Sequence, residues 1–199
     1  MKVLSWAINR PGLVEASKIV WRQINPDTLT ESLDVNAWLD AELKARDAQD
    51  AVAFLTSRTL ANVVEHRIKR PDFELHCVTT VGLGNAERVG ARVNEKRETV
   101  GTINIAVATN LGLSEQARLE AMGIIVQART TAVLEQRLSL PTGYATGTGT
   151  DCVAIASPDG DTLYTGMHTE FGEALGRVVL NCVAEGAREW RAQKSAEQL

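Results

Sequence analysis

Three stretches of this chain combine glycine with hydroxyl, amide or titratable side chains, the mixture needed to hold a polar ligand against exposed backbone N–H groups. The first is Thr79-Thr80-Val81-Gly82-Leu83-Gly84-Asn85-Ala86-Glu87-Arg88-Val89-Gly90. Gly82-x-Gly84 suggests a dinucleotide turn, yet the third glycine of G-x-G-x-x-G falls at Glu87, so the fingerprint fails. A plain glycine turn explains the same residues, since Asn85 tolerates left-handed backbone. The second is Gly143-Tyr144-Ala145-Thr146-Gly147-Thr148-Gly149-Thr150-Asp151, which lacks the G-K-[ST] of a phosphate loop. Its hydroxyls suit a polar ligand, and Asp151 can orient a histidine or activate water. The third is Tyr164-Thr165-Gly166-Met167-His168-Thr169-Glu170-Phe171-Gly172-Glu173. Histidine is the side chain suited to act first as base and then as acid near neutral pH, which makes His168 a candidate for both roles. Glu170 and Glu173 fall in a first helical turn, where negative charge suits the dipole in any case.

Rigid elements must hold these turns. Val3–Ile8 and the alternation from Ile19 to Ile24 read as strands, as do Ala51–Leu55, Phe73–Val81, Thr99–Ala108 and Asp151–Ser157. Leu60–Ile68 leans to strand. Pro158–Gly160 reads as a turn, with Leu163-Tyr164 as a hairpin partner of the strand before it. Pro26-Asp27 reads as another turn. Asp34 caps a helix carrying Val35, Trp38, Leu39 and Leu43. Ser114 caps a longer one, to about Gln136, with the stripe Ala117, Ala121, Ile124, Ile125, Ala128 and Ala132. The last helix, about Thr169 to Arg191, carries Phe171, Leu175, Val178, Val179, Cys182 and Val183. The expected fold is α/β: one domain over residues 1–199, with a mixed β-sheet packed by a few long helices.

Composition fits a globular chain, with 44% hydrophobic and 23% charged residues and a formal charge of −4. No block of like charge offers a footprint for nucleic acid or an acidic membrane. No apolar run approaches the roughly 18 residues of a membrane span, and the N-terminal run is too short for a signal peptide. Cys77, Cys152 and Cys182 are odd in number and lack C-x-x-C spacing. Free thiols in a cytoplasmic, reducing compartment are expected, with no metal site. Cys77 cannot act with His76, because strand neighbours point to opposite faces.

Gly147-Thr148-Gly149-Thr150-Asp151, followed by Tyr164-Thr165-Gly166-Met167-His168-Thr169 and Gly172-Glu173, resembles the C-terminal signature of the adenosylcobinamide amidohydrolases. Thr80–Ala86 resembles that family's central motif, and Gly101-Thr102-Ile103-Asn104-Ile105 the strand after it. Leu4-Ser5-Trp6 and Leu55-Thr56-Ser57 are weaker matches. Two departures stand out. Gly84 replaces a serine common before Asn-Ala, and Asn9-Arg10-Pro11-Gly12 replaces an Asn-Gly-Gly.

The resemblance implies hydrolysis of the aminopropanol amide of adenosylcobinamide to adenosylcobyric acid, in corrinoid salvage. Cobalt arrives with the substrate, so no cofactor is expected, and the corrinoid is the expected partner; a homo-oligomer is left open. The alternatives are a non-catalytic corrinoid-binding or regulatory protein, or an amidase for another small amide. Chemistry then suggests roles. His168, Asp151 and Glu173 form the expected catalytic set, with His168 passing a proton from water, or from a Thr148 or Thr150 hydroxyl, to the leaving amine and Asp151 holding its ring. Gly82, Gly84, Asn85, Thr148, Thr150, Trp6 and Thr56 form the expected substrate-binding set, with the oxyanion held near Gly84 and Asn85. All three glycine-bearing segments are expected to meet in one cleft.

Overall fold

The structure, a computed structural model, describes residues 1–25, 28, 32–91 and 100–196. Short runs, each carrying at least one β-branched residue, make the strands β1 (Lys2–Ser5), β2 (Gly12–Glu15), β5 (Val64–Lys69), β6 (Glu74–Val81), β8 (Ile103–Thr109) and β12 (Cys152–Ser157). They form one mixed sheet in the order β2-β1-β12-β8-β6-β5. Its inner strands β8 and β12 are buried almost throughout and are the parallel pair. Parallel neighbours need a crossover, and α2 (Glu115–Glu135) supplies it. Ser114 caps α2 by accepting from the Ala117 N–H, and Ala117, Ala121, Ala128 and Ala132 let it lie close to the sheet. Beside it runs α3 (Glu170–Ala196), whose expected stripe from Phe171 to Val183 is wholly buried.

The second face of the sheet is covered differently. β3 (Ile19–Gln23) and β4 (Val52–Thr56) pair in parallel, with α1 (Val35–Lys44) between them in the chain. Val52 and Phe54 pack onto Val3, Ala106, Ala154 and Ala156 of the large sheet. α1 closes the far side of this unit through Leu39 and Leu43 against Ala51 and Ala53. Asn9 locks the unit in place as a strand neighbour would. Its amide donates to the Ala51 carbonyl at 2.9 Å and accepts from the Ala53 N–H at 3.0 Å.

Four two-residue strands complete the fold: β7 (Ala86–Glu87), β9 (Ser139–Leu140), β10 (Gly143–Tyr144) and β11 (Gly147–Thr148). β7 pairs with β11, which joins the first two glycine-bearing segments. Leu163-Tyr164 is not a hairpin partner. Asp159 and Thr162 instead bridge to Leu113 at the entry to α2, and Leu163 and Tyr164 stand exposed. The start of the Thr99–Ala108 strand and the Pro26-Asp27 turn lie outside the described residues.

Candidate active site

A cavity of about 580 Å³ opens where β6 ends and β8 and β12 begin, under the end of β4. That size suits a small organic group or one edge of a larger ligand. Ile8, Ile24, Val35, Leu55 and Val100 give it an apolar wall. Thr56, Ser57, Asn85, Thr102, Asn104 and Thr150 add hydroxyls and amides to the same lining. Cys152 also lines it, and burial pushes that thiol up from its ordinary value. A neutral thiol at pH 7 is a poor nucleophile.

The polar wall depends on close backbone approach. A Cβ on Gly101 would sit 2.6 Å from the Gly84 nitrogen and 2.8 Å from the Gly82 oxygen, so Gly82, Gly84 and Gly101 make one tight layer behind the cavity. Thr150 then ties the two first segments together. Its hydroxyl donates to the Gly101 carbonyl at 3.1 Å and accepts from the Asn85 amide at 3.4 Å. Thr102 donates to the Thr150 carbonyl at 2.8 Å.

Asp151 stands behind this wall as a clamp. Its carboxylate accepts from the Thr148 N–H at 3.0 Å, from the Thr148 hydroxyl and from the Ile103 N–H at 3.2 Å. It also pairs with Arg129 of α2, both side chains being largely buried. Burial pulls the Arg129 guanidinium down from its usual value, though arginine stays charged. A Cβ on Gly147 would meet both partners at 2.7 Å, so any larger residue there would push the ion pair aside. Trp6 braces the rim by donating to the Asp151 carbonyl at 2.7 Å.

The third segment does not join the cleft. Thr165 bonds to Ala117 and Glu120 in the first half of α2, while Asp151 meets Arg129, about 14 Å further along that helix. Phe171 packs on Phe73 at 5.2 Å, before the start of β6, whereas the cavity lies past its end, roughly 24 Å away. His168 is exposed there, and Glu173 pairs with Arg177 one turn on. The expected His168–Asp151 pairing is therefore not formed. The reason is topological: β12 separates the two residues and carries the chain from one end of the sheet to the other.

Of the expected binding residues, Asn85, Thr150 and Thr56 line the cavity. Gly82, Gly84 and Thr148 build its backing, and Trp6 its rim. Ser57, Thr102, Asn104, Cys152 and Arg129 were not expected at the site. Asn104 carried a signal, because an amide between Ile103 and Ile105 in a central strand must be buried and must find a partner. Among the described residues no cluster of three His, Cys, Asp or Glu could hold a metal ion, and no helix is long and apolar enough to cross a membrane.

An uncharacterized protein of Methanocaldococcus jannaschii is 37% identical over 93 residues, which cover 45% of this chain and 36% of that protein. The chain thus spans well under two thirds of that relative's length. The family model described as adenosylcobinamide amidohydrolase matches residues 1–195. With the match running from the first strand into the last turns of α3, the chain belongs to the adenosylcobinamide amidohydrolase family.

Proposed function

We propose that the chain hydrolyses the aminopropanol amide of adenosylcobinamide, giving adenosylcobyric acid and the free amine, and so serves corrinoid salvage. The observation that carries this reading is the cavity itself. Its lining combines apolar side chains with amides and hydroxyls, and a corrinoid edge combines an apolar ring with amide arms in the same way. The cavity takes one edge and its arm rather than the whole ligand. The proposed binding set is Asn85, Thr150 and Thr56, backed by Gly82, Gly84 and Thr148 and rimmed by Trp6.

Hydrolysis adds water across the amide carbonyl and breaks the C–N bond, the amine leaving with a proton. The intermediate oxygen needs donors in a dry site. Thr150 and Thr102 already give their protons to backbone carbonyls. Thr56 accepts from the Arg58 N–H and keeps its own proton, and Ser57 lines the same corner. These two hydroxyls are the proposed donors to that oxygen. The cobalt belongs to the substrate, and the reading requires no second cofactor.

Incubation with adenosylcobinamide, followed by chromatography, tests the reading through the appearance of adenosylcobyric acid. One observation favours a non-catalytic corrinoid binder instead: among the described residues, no imidazole or carboxylate lines the cavity. A protein that holds corrinoid colour through desalting but releases no adenosylcobyric acid is that binder. A protein that does neither acts on another ligand.

A further inference from the structure

Asn104 is 1% exposed, sits in the centre of the sheet and lines the cavity. Its amide nitrogen donates to the Leu55 carbonyl at 2.8 Å. That bond fixes which way the amide faces, because a flipped amide would set oxygen against oxygen. The side-chain oxygen is buried and has no hydrogen-bond partner. Thr80, its neighbour across β6 and β8, does not satisfy it, for the Thr80 hydroxyl is itself buried without a partner. Asn85 follows the same logic. Thr150 spends its proton on the Gly101 carbonyl, so the Asn85 nitrogen must face Thr150, and the Asn85 oxygen is left buried and unpartnered. Two residues of the cavity lining therefore carry acceptors of fixed direction that are covered by protein and lack a donor. A buried acceptor without a donor is costly, so such a pair selects a ligand that brings donors.

We propose that Asn104 is the specificity residue of this site and that its Oδ1 accepts the N–H of the amide to be cut. The inference rests on the corrinoid-amide reading above. The aminopropanol arm carries two donors, the amide N–H and the alcohol O–H, which leaves Asn85 Oδ1 to accept from the alcohol. Hydrolysis reverses the fit at Asn104. The N–H departs with the amine, and a carboxylate, which has no proton to give at neutral pH, faces the same acceptor oxygen. Asn104 thus favours substrate over product and promotes release of adenosylcobyric acid.

The test compares KM for adenosylcobinamide with Ki for adenosylcobyric acid in the wild-type protein, Asn104→Leu and Asn104→Asp. A variant that no longer turns over is titrated calorimetrically with the same two corrinoids, and its fold is checked by thermal unfolding. The wild type should prefer the amide by about tenfold or more, the size expected of one satisfied bond against one unpaired acceptor. Asn104→Leu should lose most of that preference. Asn104→Asp keeps an acceptor oxygen and loses the donor to Leu55, so it should keep the preference or raise it. If Asn104 only braces β4 through Leu55, both variants should be weakened alike with the wild-type preference unchanged, and that result overturns the inference while leaving the proposed reaction standing. A wild-type protein that neither binds nor cleaves adenosylcobinamide overturns both.

Discussion

Asp151 shows how a carboxylate in a glycine-rich loop can carry structure where catalysis was expected. Two N–H groups, a hydroxyl and a buried guanidinium already occupy its oxygens, so little is left for an imidazole or a water. Removing one partner of such a pair leaves the other charge buried and alone. Asp151→Ala is therefore expected to lower stability by about 3–5 kcal/mol, measured by denaturant unfolding. Loss of activity at full stability would instead return Asp151 to the chemistry. Cys152 gives a second check. Its thiol is held above the ordinary value by burial, so the neutral form dominates at pH 7. Alkylation should be slow at neutral pH, rise as the pH climbs past the shifted value, and be blocked by bound corrinoid. Cys77 and Cys182 are buried and should react only on unfolding. Fast labelling of Cys152 at pH 7 would mark an activated thiol.

At the scale of elements, the long helices and central strands could be read from sequence because each carries its own period. The α2 alanine stripe, the α3 stripe and the caps at Asp34 and Ser114 all stand where local chemistry put them. The four two-residue strands were invisible, since a pair of residues has no period and exists only through its partner. The site divides along the same line. Asn85 and Thr150 could be found because turn residues announce themselves, whereas the amide of Asn104 in its apolar strand signals only the need for a partner, and gains its meaning from Leu55 and Thr80, which the sequence does not place beside it. His168 was misjoined because composition says nothing of which end of a strand a loop follows. Its place at the far end makes a prediction. His168→Ala should leave turnover within a few-fold and change stability by less than about 1 kcal/mol, since it is an exposed residue at a helix entry. A loss of 10²-fold or more, the scale of general acid–base catalysis, would show that the far end takes part after all.

Across the whole molecule the cavity lies between two bodies, where small side chains of the large sheet receive larger ones of the β3–β4 unit. Ala106, Ala154 and Ala156 of the large sheet meet Val52 and Phe54 of the β3–β4 unit, and the cavity continues that seam toward Val35 of α1. A ligand seated there contacts both bodies and holds them together. At a free concentration one hundred times Kd it adds about 2.7 kcal/mol to the folded state, which for a chain of this size raises Tm by about 5–10 °C. Adenosylcobinamide should produce that shift. Hydrogen exchange then says where the ligand sits. Protection should rise at 53–57, 101–104 and 150–152, the segments that wall the cavity. It should stay unchanged at 163–173, where Tyr164, Met167 and His168 are exposed at the opposite end of the sheet. Chain connectivity keeps the two regions apart, so a ligand in the cavity cannot shield both by contact. Protection confined to 163–173 would move the binding site to the α3 entry and restore His168 to first place among the candidates.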